Sequence, residues 1–352
     1  MQRFTCAVCS APLFFENSRC LACGAQLGFH RGERVIAPLD DDGVYRDREG
    51  QVLRRCVNLA LSGCTWLVRE EGDECFSCNL TRSRPDDHDT TGLAQFLDAE
   101  RSKRHLIYEL DVLGLPIEDR VQNPERGLAF DLLSSVEEKV VIGHQNGLIT
   151  IDLAETVDSH REKMRAKLEE PYRTMLGHFR HETGHYFEGT LVFSDPDLTD
   201  RARAVFGDDR ASYKDALTRH YAEGAPEDWV REHISTYATM HPYEDFAETF
   251  AHYLHICDTV DTALQYGLAE GPGPDSSEDF GDVVRRTWIP LSVALNQVNR
   301  SMGANDLYPF VLPPTVIDKL DFVHKLRVRV GEPVAVTEPD ASTTDDAATT
   351  AA

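Results

Sequence analysis

His181, Glu182 and His185 form an HExxH motif inside the run His178-Phe-Arg-His-Glu-Thr-Gly-His-Tyr-Phe187. On a helix, positions i and i+4 stand one turn apart on the same face, so both imidazoles reach one metal ion while Glu182 lies beside it. That is the outline of a hydrolytic zinc site. Chance is the competing explanation, because 14 histidines in 352 residues generate the bare motif at a rate of roughly a few per cent. The flanks argue against chance: Met175, Leu176, Phe179, Tyr186 and Phe187 surround the polar residues as in a helix that buries its metal-facing side.

A catalytic zinc takes three protein ligands and keeps a fourth position for water. The extended pattern HExxHxxGxxH is excluded, since Glu188 and Leu191 stand where Gly and His are needed. Further along, His241-Pro-Tyr-Glu-Asp-Phe-Ala-Glu-Thr-Phe-Ala-His-Tyr-Leu-His-Ile256 reads as a helix with Pro242 early in it. Glu244, Glu248 and His252 fall at i, i+4 and i+8 on one face, with Phe246, Phe250 and Leu254 on others. A solvated acidic stripe is the bland alternative. Histidine density counts against it, because eight of the 14 histidines lie between His178 and His255.

Eight of the nine cysteines fall within residues 6 to 78, in a chain without an evident export leader, which favours metal thiolates over disulfides. Cys6-Ala-Val-Cys9 and Cys20-Leu-Ala-Cys23 are two CxxC turns, enough for one closed tetrahedral zinc site with four thiolate ligands. Cys56, Cys64, Cys75 and Cys78 form a second group with one CxxC turn. Exchange of pairs between the groups stays open on spacing alone. Two structural zinc ions and one catalytic zinc ion are the expected cofactors.

The formal net charge is −24. It is unevenly spread: residues 1 to 85 hold 11 Arg, no Lys and 11 acids, so 11 − 11 = 0 there and the whole excess lies beyond. Such a field repels phosphate backbones, so nucleic acid and anionic membrane are not expected partners. No apolar run approaches the ~20 residues of a membrane span, and a cytoplasmic location is expected.

The elements that must carry the site are legible in part. Arg84-Pro85-Asp86-Asp87-His88-Asp89 is a polar break, and apolar residues from Leu93 to Leu113 recur at helical spacing. Lys139 to Asp152, split by Asn146-Gly147, reads as a β-hairpin. A charged helix is expected from Ala154 to about Leu168, with Pro171 in the first turn of the helix bearing the motif. Residues 269 to 282 read as a loop, and residues 332 to 352 as a disordered acidic tail.

The pairing of HExxH with a later ExxxE helix resembles the gluzincin metallopeptidases, and Ser235-Thr-Tyr237 before Glu244-Asp-Phe-Ala-Glu248 is similar to the catalytic domain of anthrax lethal factor. The resemblance implies Glu244 as third zinc ligand, Glu248 as support for the site or alternative ligand, and Tyr237 as a transition-state donor. More broadly, the cysteine groups, Gly143-His-Gln-Asn-Gly147, Pro171-Tyr-Arg173, the HExxH helix and the 241 to 255 segment resemble a bacterial family of zinc-binding metallopeptidases with an amino-terminal zinc ribbon. This implies an α+β fold: β-rich zinc-ribbon modules with two four-cysteine sites over residues 1 to 85, then a mainly helical zincin-like metallopeptidase domain with a small β-sheet or hairpin over residues 86 to 331. The 58 residues between His185 and Glu244 are a longer insert than many gluzincins have, so Glu244 and Glu248 both remain candidates.

On this reading zinc lowers the pKa of bound water toward about 7, and Glu182 acts as general base in peptide-bond hydrolysis. Tyr237 is the first candidate for the oxyanion donor, with His233 or His241 in reserve. The substrate would be a peptide or protein, aligned along the hairpin edge; a protein partner could dock on the ribbon. Two other classes compete: a non-catalytic zinc-ribbon adaptor with a relic HExxH core, and a nucleic-acid-binding ribbon using Arg54, Arg55 and Arg82 with Phe76 and Trp66.

Overall fold

The computed structural model describes residues 1–135, 140–156, 174–276 and 279–329. The expected helix beyond residue 156, the segment Pro171-Tyr172-Arg173 and the acidic tail lie outside them.

Short antiparallel strands build the amino-terminal region: Phe4–Thr5 with Pro12–Leu13, Leu27–His30 with Val35–Pro38, and a three-stranded sheet of Tyr45–Arg46, Val52–Arg55 and Leu67–Val68. Pieces this short need other support to persist. Part of it is an aromatic cluster in which the Phe15 ring lies 4.8 Å from Phe29 and 4.9 Å from Tyr108, and Phe29 lies 5.2 Å from Trp66. Tyr108 belongs to the helix Thr90–Leu113, so the ribbon region shares one apolar core with the helical part of the chain. Arg31 clamps Asp111 of that helix through two 2.7 Å hydrogen bonds. The helix starts three residues before the first apolar position because the Asp89 carboxylate accepts a hydrogen bond from Gly92 N–H at 2.7 Å.

A four-stranded mixed sheet comes next. Thr81–Ser83, Ala129–Leu133 and Leu148–Asp152 run parallel, and Gly143–Gln145 folds back antiparallel as an edge strand, unpaired on its outer side among the described residues. Asn146 and Gly147 turn the hairpin with φ of 48° and 80°, the left-handed pair that a two-residue hairpin turn demands. A Cβ on Gly147 would sit 2.1 Å from the Arg126 carbonyl oxygen, so glycine is required there on two counts. The hairpin is shorter than its apolar pattern. Val140, Val141 and Ile142 stay outside the strand, because Gly143 at φ 140° turns the chain out of the extended run.

The two helices named by the motifs cross at the centre. Met175–Phe187 is capped by Thr174, whose hydroxyl accepts from Gly177 N–H at 2.9 Å; Pro171, expected in its first turn, lies outside the described residues. Pro242–Gln265 opens with proline at its first position and His241 as its cap, Nδ1 accepting from Tyr243 N–H at 3.1 Å. Phe187 and Phe250 stack at 5.4 Å between them. The loop expected from 269 ends earlier than its composition indicates, because Asp279 caps a short helix, Phe280–Val283. The fold is thus α+β, with a β-rich cysteine region before a mostly helical part that holds a small sheet. Among the described residues, no helix is long and apolar enough to cross a membrane.

Candidate metal centre

His181 and His185, one turn apart on Met175–Phe187, face Glu244 in the first turn of Pro242–Gln265. Glu244 Oε2 lies 3.1 Å from His181 Nε2 and 3.5 Å from His185 Nε2. Ligand atoms about 2.0–2.1 Å from a tetrahedral zinc ion are separated by about 3.3 Å, so Glu244 Oε2 stands from each nitrogen about as far as ligands of one zinc ion do, and the three groups offer atoms within 4.8 Å of one another. The donor set of two imidazoles and a carboxylate suits zinc as well.

Glu248, one turn beyond Glu244, reaches the far side of the same imidazole: His181 Nδ1 donates to Glu248 Oε1 at 2.7 Å, and Ser235 Oγ donates to Glu248 Oε2 at 2.6 Å. This fixes which nitrogen of His181 faces Glu244. His185 is held differently, its ring stacked on Tyr243 at 3.9 Å and 16°. His252 does not join them. Its Nδ1 lies 2.9 Å from the Tyr308 hydroxyl, in the core.

Electrostatics agree with a cation site. Burial by itself would keep His181 neutral, yet its hydrogen bonds to Glu244 and Glu248 push its pKa well above the ordinary value. Burial by itself would also raise Glu244, but His185 and His181 hold its carboxyl well below the usual range. A buried and a half-buried carboxylate around two imidazoles therefore favour positive charge between them.

Glu182 is buried beside this group, with Oε1 3.2 Å from His178 Nε2 and Oε2 without a hydrogen-bond partner among the described residues. Tyr237 packs against His181 with ring centroids 6.0 Å apart. A second phenol, which sequence reasoning missed, bonds a proposed ligand directly: Tyr213 Oη donates to Glu244 Oε1 at 2.8 Å. Tyr213 sits in the 58-residue insert, and nothing in its local sequence marks it. His241 has both ring nitrogens engaged, one as the helix cap and one 3.1 Å from the Ala211 carbonyl. His233 points to Asp245 at 3.8 Å. His144, on the edge strand, accepts from Gly147 N–H at 2.9 Å, and its ring lies 6.2 Å from that of His185. It is a turn residue that also borders the site.

The cysteines gather as two separate groups, Cys6, Cys9, Cys20 and Cys23, and Cys56, Cys64, Cys75 and Cys78, with no exchange of pairs. Sulfurs about 2.3 Å from a tetrahedral zinc stand about 3.8 Å apart. The observed separations are 3.8 Å for Cys6 and Cys23, 3.6 Å for Cys9 and Cys20, 3.7 Å for Cys56 and Cys78 and 3.5 Å for Cys64 and Cys75, all far beyond the roughly 2.05 Å of a disulfide.

The side chains weighed for reading nucleic acid have partners within the protein, Arg54 meeting Glu71 at the surface. Arg82 forms a two-pronged pair with Asp131, and Arg55 donates to the Leu27 and Ser18 carbonyls. Arg31 lies over the Phe76 ring at 3.6 Å, and Trp66 is 1% exposed.

Two zinc-spaced cysteine groups and a His-His-Glu cluster beside a mixed sheet are donor sets that suit a zinc-binding protein. The chain belongs to the family described as "Putative zinc-binding metallo-peptidase", whose model matches residues 92–326, and a zinc-ribbon domain matches residues 3–89. Uncharacterized proteins of Mycobacterium bovis and of two Mycobacterium tuberculosis strains are each 50% identical to it over 330 residues, covering 92% of this chain and 94% of theirs. No solved structure matches the chain.

Proposed function

We propose that the protein is a gluzincin-type zinc peptidase, with residues 86–331 as its catalytic part and residues 1–85 as a ribbon module holding two structural zinc ions. The reading rests on one observation above all: His181 Nε2, His185 Nε2 and Glu244 Oε2 converge while the buried Glu182 keeps Oε2 free of other partners beside them. In this proposal those three residues hold the catalytic zinc, which when bound supplies Lewis acidity toward water and the scissile carbonyl. Glu248 acts through His181. Glu182 Oε2 accepts the proton of the attacking water and returns it to the leaving amine. The phenol of Tyr237 supplies a hydrogen bond where negative charge develops on the carbonyl oxygen, and Tyr213 steadies Glu244. The edge strand Gly143–Gln145 offers main-chain donors and acceptors to an extended peptide.

Sulfur spacings that fit thiolates rather than disulfides are consistent with a reducing, cytoplasmic setting. Val8, Phe14 and Leu21 on the first ribbon are 61%, 71% and 93% exposed, apolar surface on which a protein partner could dock.

The test is Glu182→Gln in the full-length, zinc-loaded protein, screened against a quenched fluorescent peptide library. It should fold, keep its zinc and lose at least about two orders of magnitude of turnover. A parent protein that keeps its metal and cleaves no library peptide would instead be the zinc-ribbon adaptor with a relic core.

A further inference from the structure

His178 lies one turn before Glu182 on the motif helix and is buried between two carboxylates. Its Nδ1 is 2.7 Å from Glu155 Oε2 and its Nε2 is 3.2 Å from Glu182 Oε1. Glu155 comes from the turn Leu153–Thr156 that succeeds strand Leu148–Asp152. An ionised carboxylate only accepts hydrogen bonds, so a ring placed between two of them must donate from both nitrogens. With both carboxylates ionised, that ring is an imidazolium. Burial by itself would favour the neutral form, but Glu155 and Glu182, the charged groups it meets among the described residues, push its pKa up to about 9.

We infer that His178, anchored by Glu155, is a positioning residue for the proposed proton transfer: it binds Glu182 through Oε1 and leaves Oε2 as the oxygen that exchanges a proton with the reacting water. The inference rests on the peptidase reading above. Glu182 has several rotatable bonds, and a buried carboxylate with two free oxygens could turn either one toward the metal-binding atoms and compete as a ligand. The bond from His178 removes that freedom. The unpartnered state of Glu182 Oε2 is the complementary half of the arrangement. His178 holds its own two protons throughout, so the water proton goes to Glu182 Oε2 and from there to the leaving amine. The bland alternative is a buried ion pair that merely ties the motif helix to the sheet.

Two measurements separate these. In the full-length zinc-loaded protein labelled with 15N-histidine, the His178 ring, assigned by its loss in His178→Gln, should carry protons on both nitrogens at pH 7. A neutral ring at pH 7 overturns the inference, and this readout needs no substrate. On the best-cleaved peptide from the fluorescent library, His178→Gln should lower kcat about 10- to 100-fold with KM within about twofold and three zinc ions retained. Glu155→Gln, which leaves the inner hydrogen bond in place, should change kcat in the same direction by a smaller factor, and it carries the kinetic test if His178→Gln misfolds. Unchanged kcat in both variants, or a loss matched by loss of zinc or of fold, assigns the pair to structure alone. A parent without turnover overturns the peptidase reading and the inference's catalytic role with it, while the spectrum still decides whether the bridging imidazolium exists.

Discussion

A Cβ on Gly184 would stand 2.9 Å from Ala247 Cα and 3.2 Å from the Ala247 carbonyl oxygen. Gly184 lies between the two motif histidines, and Ala247 lies between Glu244 and Glu248. The two helices touch backbone to backbone at the one level where both carboxylates must reach His181.

Gly184→Ala should therefore be destabilising even though alanine is the better helix former by ~1 kcal/mol. The obstruction is backbone, which no rotamer change relieves, and overpacking of this kind typically costs about 1–3 kcal/mol. Gly189, whose added Cβ meets nothing within 4 Å, is the control. Thermal unfolding should rank Gly184→Ala below the parent and Gly189→Ala at or near it; zinc retention by the first should fall as the helices part. Equal melting temperatures for parent and Gly184→Ala would refute the close backbone contact as the reason for glycine.

Glu244→Ala should abolish metal binding at the His181-His185 site, because it deletes a ligand atom. Glu248→Ala deletes only the group that orients His181, so it should weaken zinc affinity about 10- to 100-fold and keep the site. Competitive titration with a chromophoric chelator reads both. The opposite ranking makes Glu248 the ligand.

The two phenols should part company. Tyr213→Phe breaks the 2.8 Å hydrogen bond to Glu244 Oε1 and should reduce zinc affinity by about 10-fold. Tyr237→Phe should leave zinc affinity almost unchanged and lower kcat by no more than about 10²-fold, less than Glu182→Gln. Zinc affinities that move together in the two variants would contradict separate roles.

Metal analysis of the whole chain under native conditions should return three zinc ions. Mild chelation should remove one first, because the three-ligand site has an open position and the four-cysteine sites are closed. Stoichiometry of one, or release of all three together, would count against this division.

Much of the centre was legible because its residues are local in sequence. His181 and His185, the CxxC turns, Asn146-Gly147 and the face shared by Glu244 and Glu248 all derive from helical, knuckle or hairpin spacing, in which neighbours in sequence are neighbours in space. The His178 and Glu182 pair has the same spacing, since i and i+4 meet on a helix, but spacing does not show that Glu155 completes it. What the sequence could not decide is everything that depends on which elements approach one another. Only the packed structure separates Glu244, turned to both histidines, from Glu248, turned to one, and moves His252 off that face into the core with Tyr308. The same holds for Tyr213 and Glu155, which reach the site from an insert and from a turn after the sheet, and for the separation of eight cysteines into two groups. Such contacts are set by the burial of apolar surfaces such as Phe187 against Phe250 and by the glycine at 184. Burial fixes the distance and rotation between helices as a property of the whole core, whereas sequence spacing fixes only the face that each helix can offer.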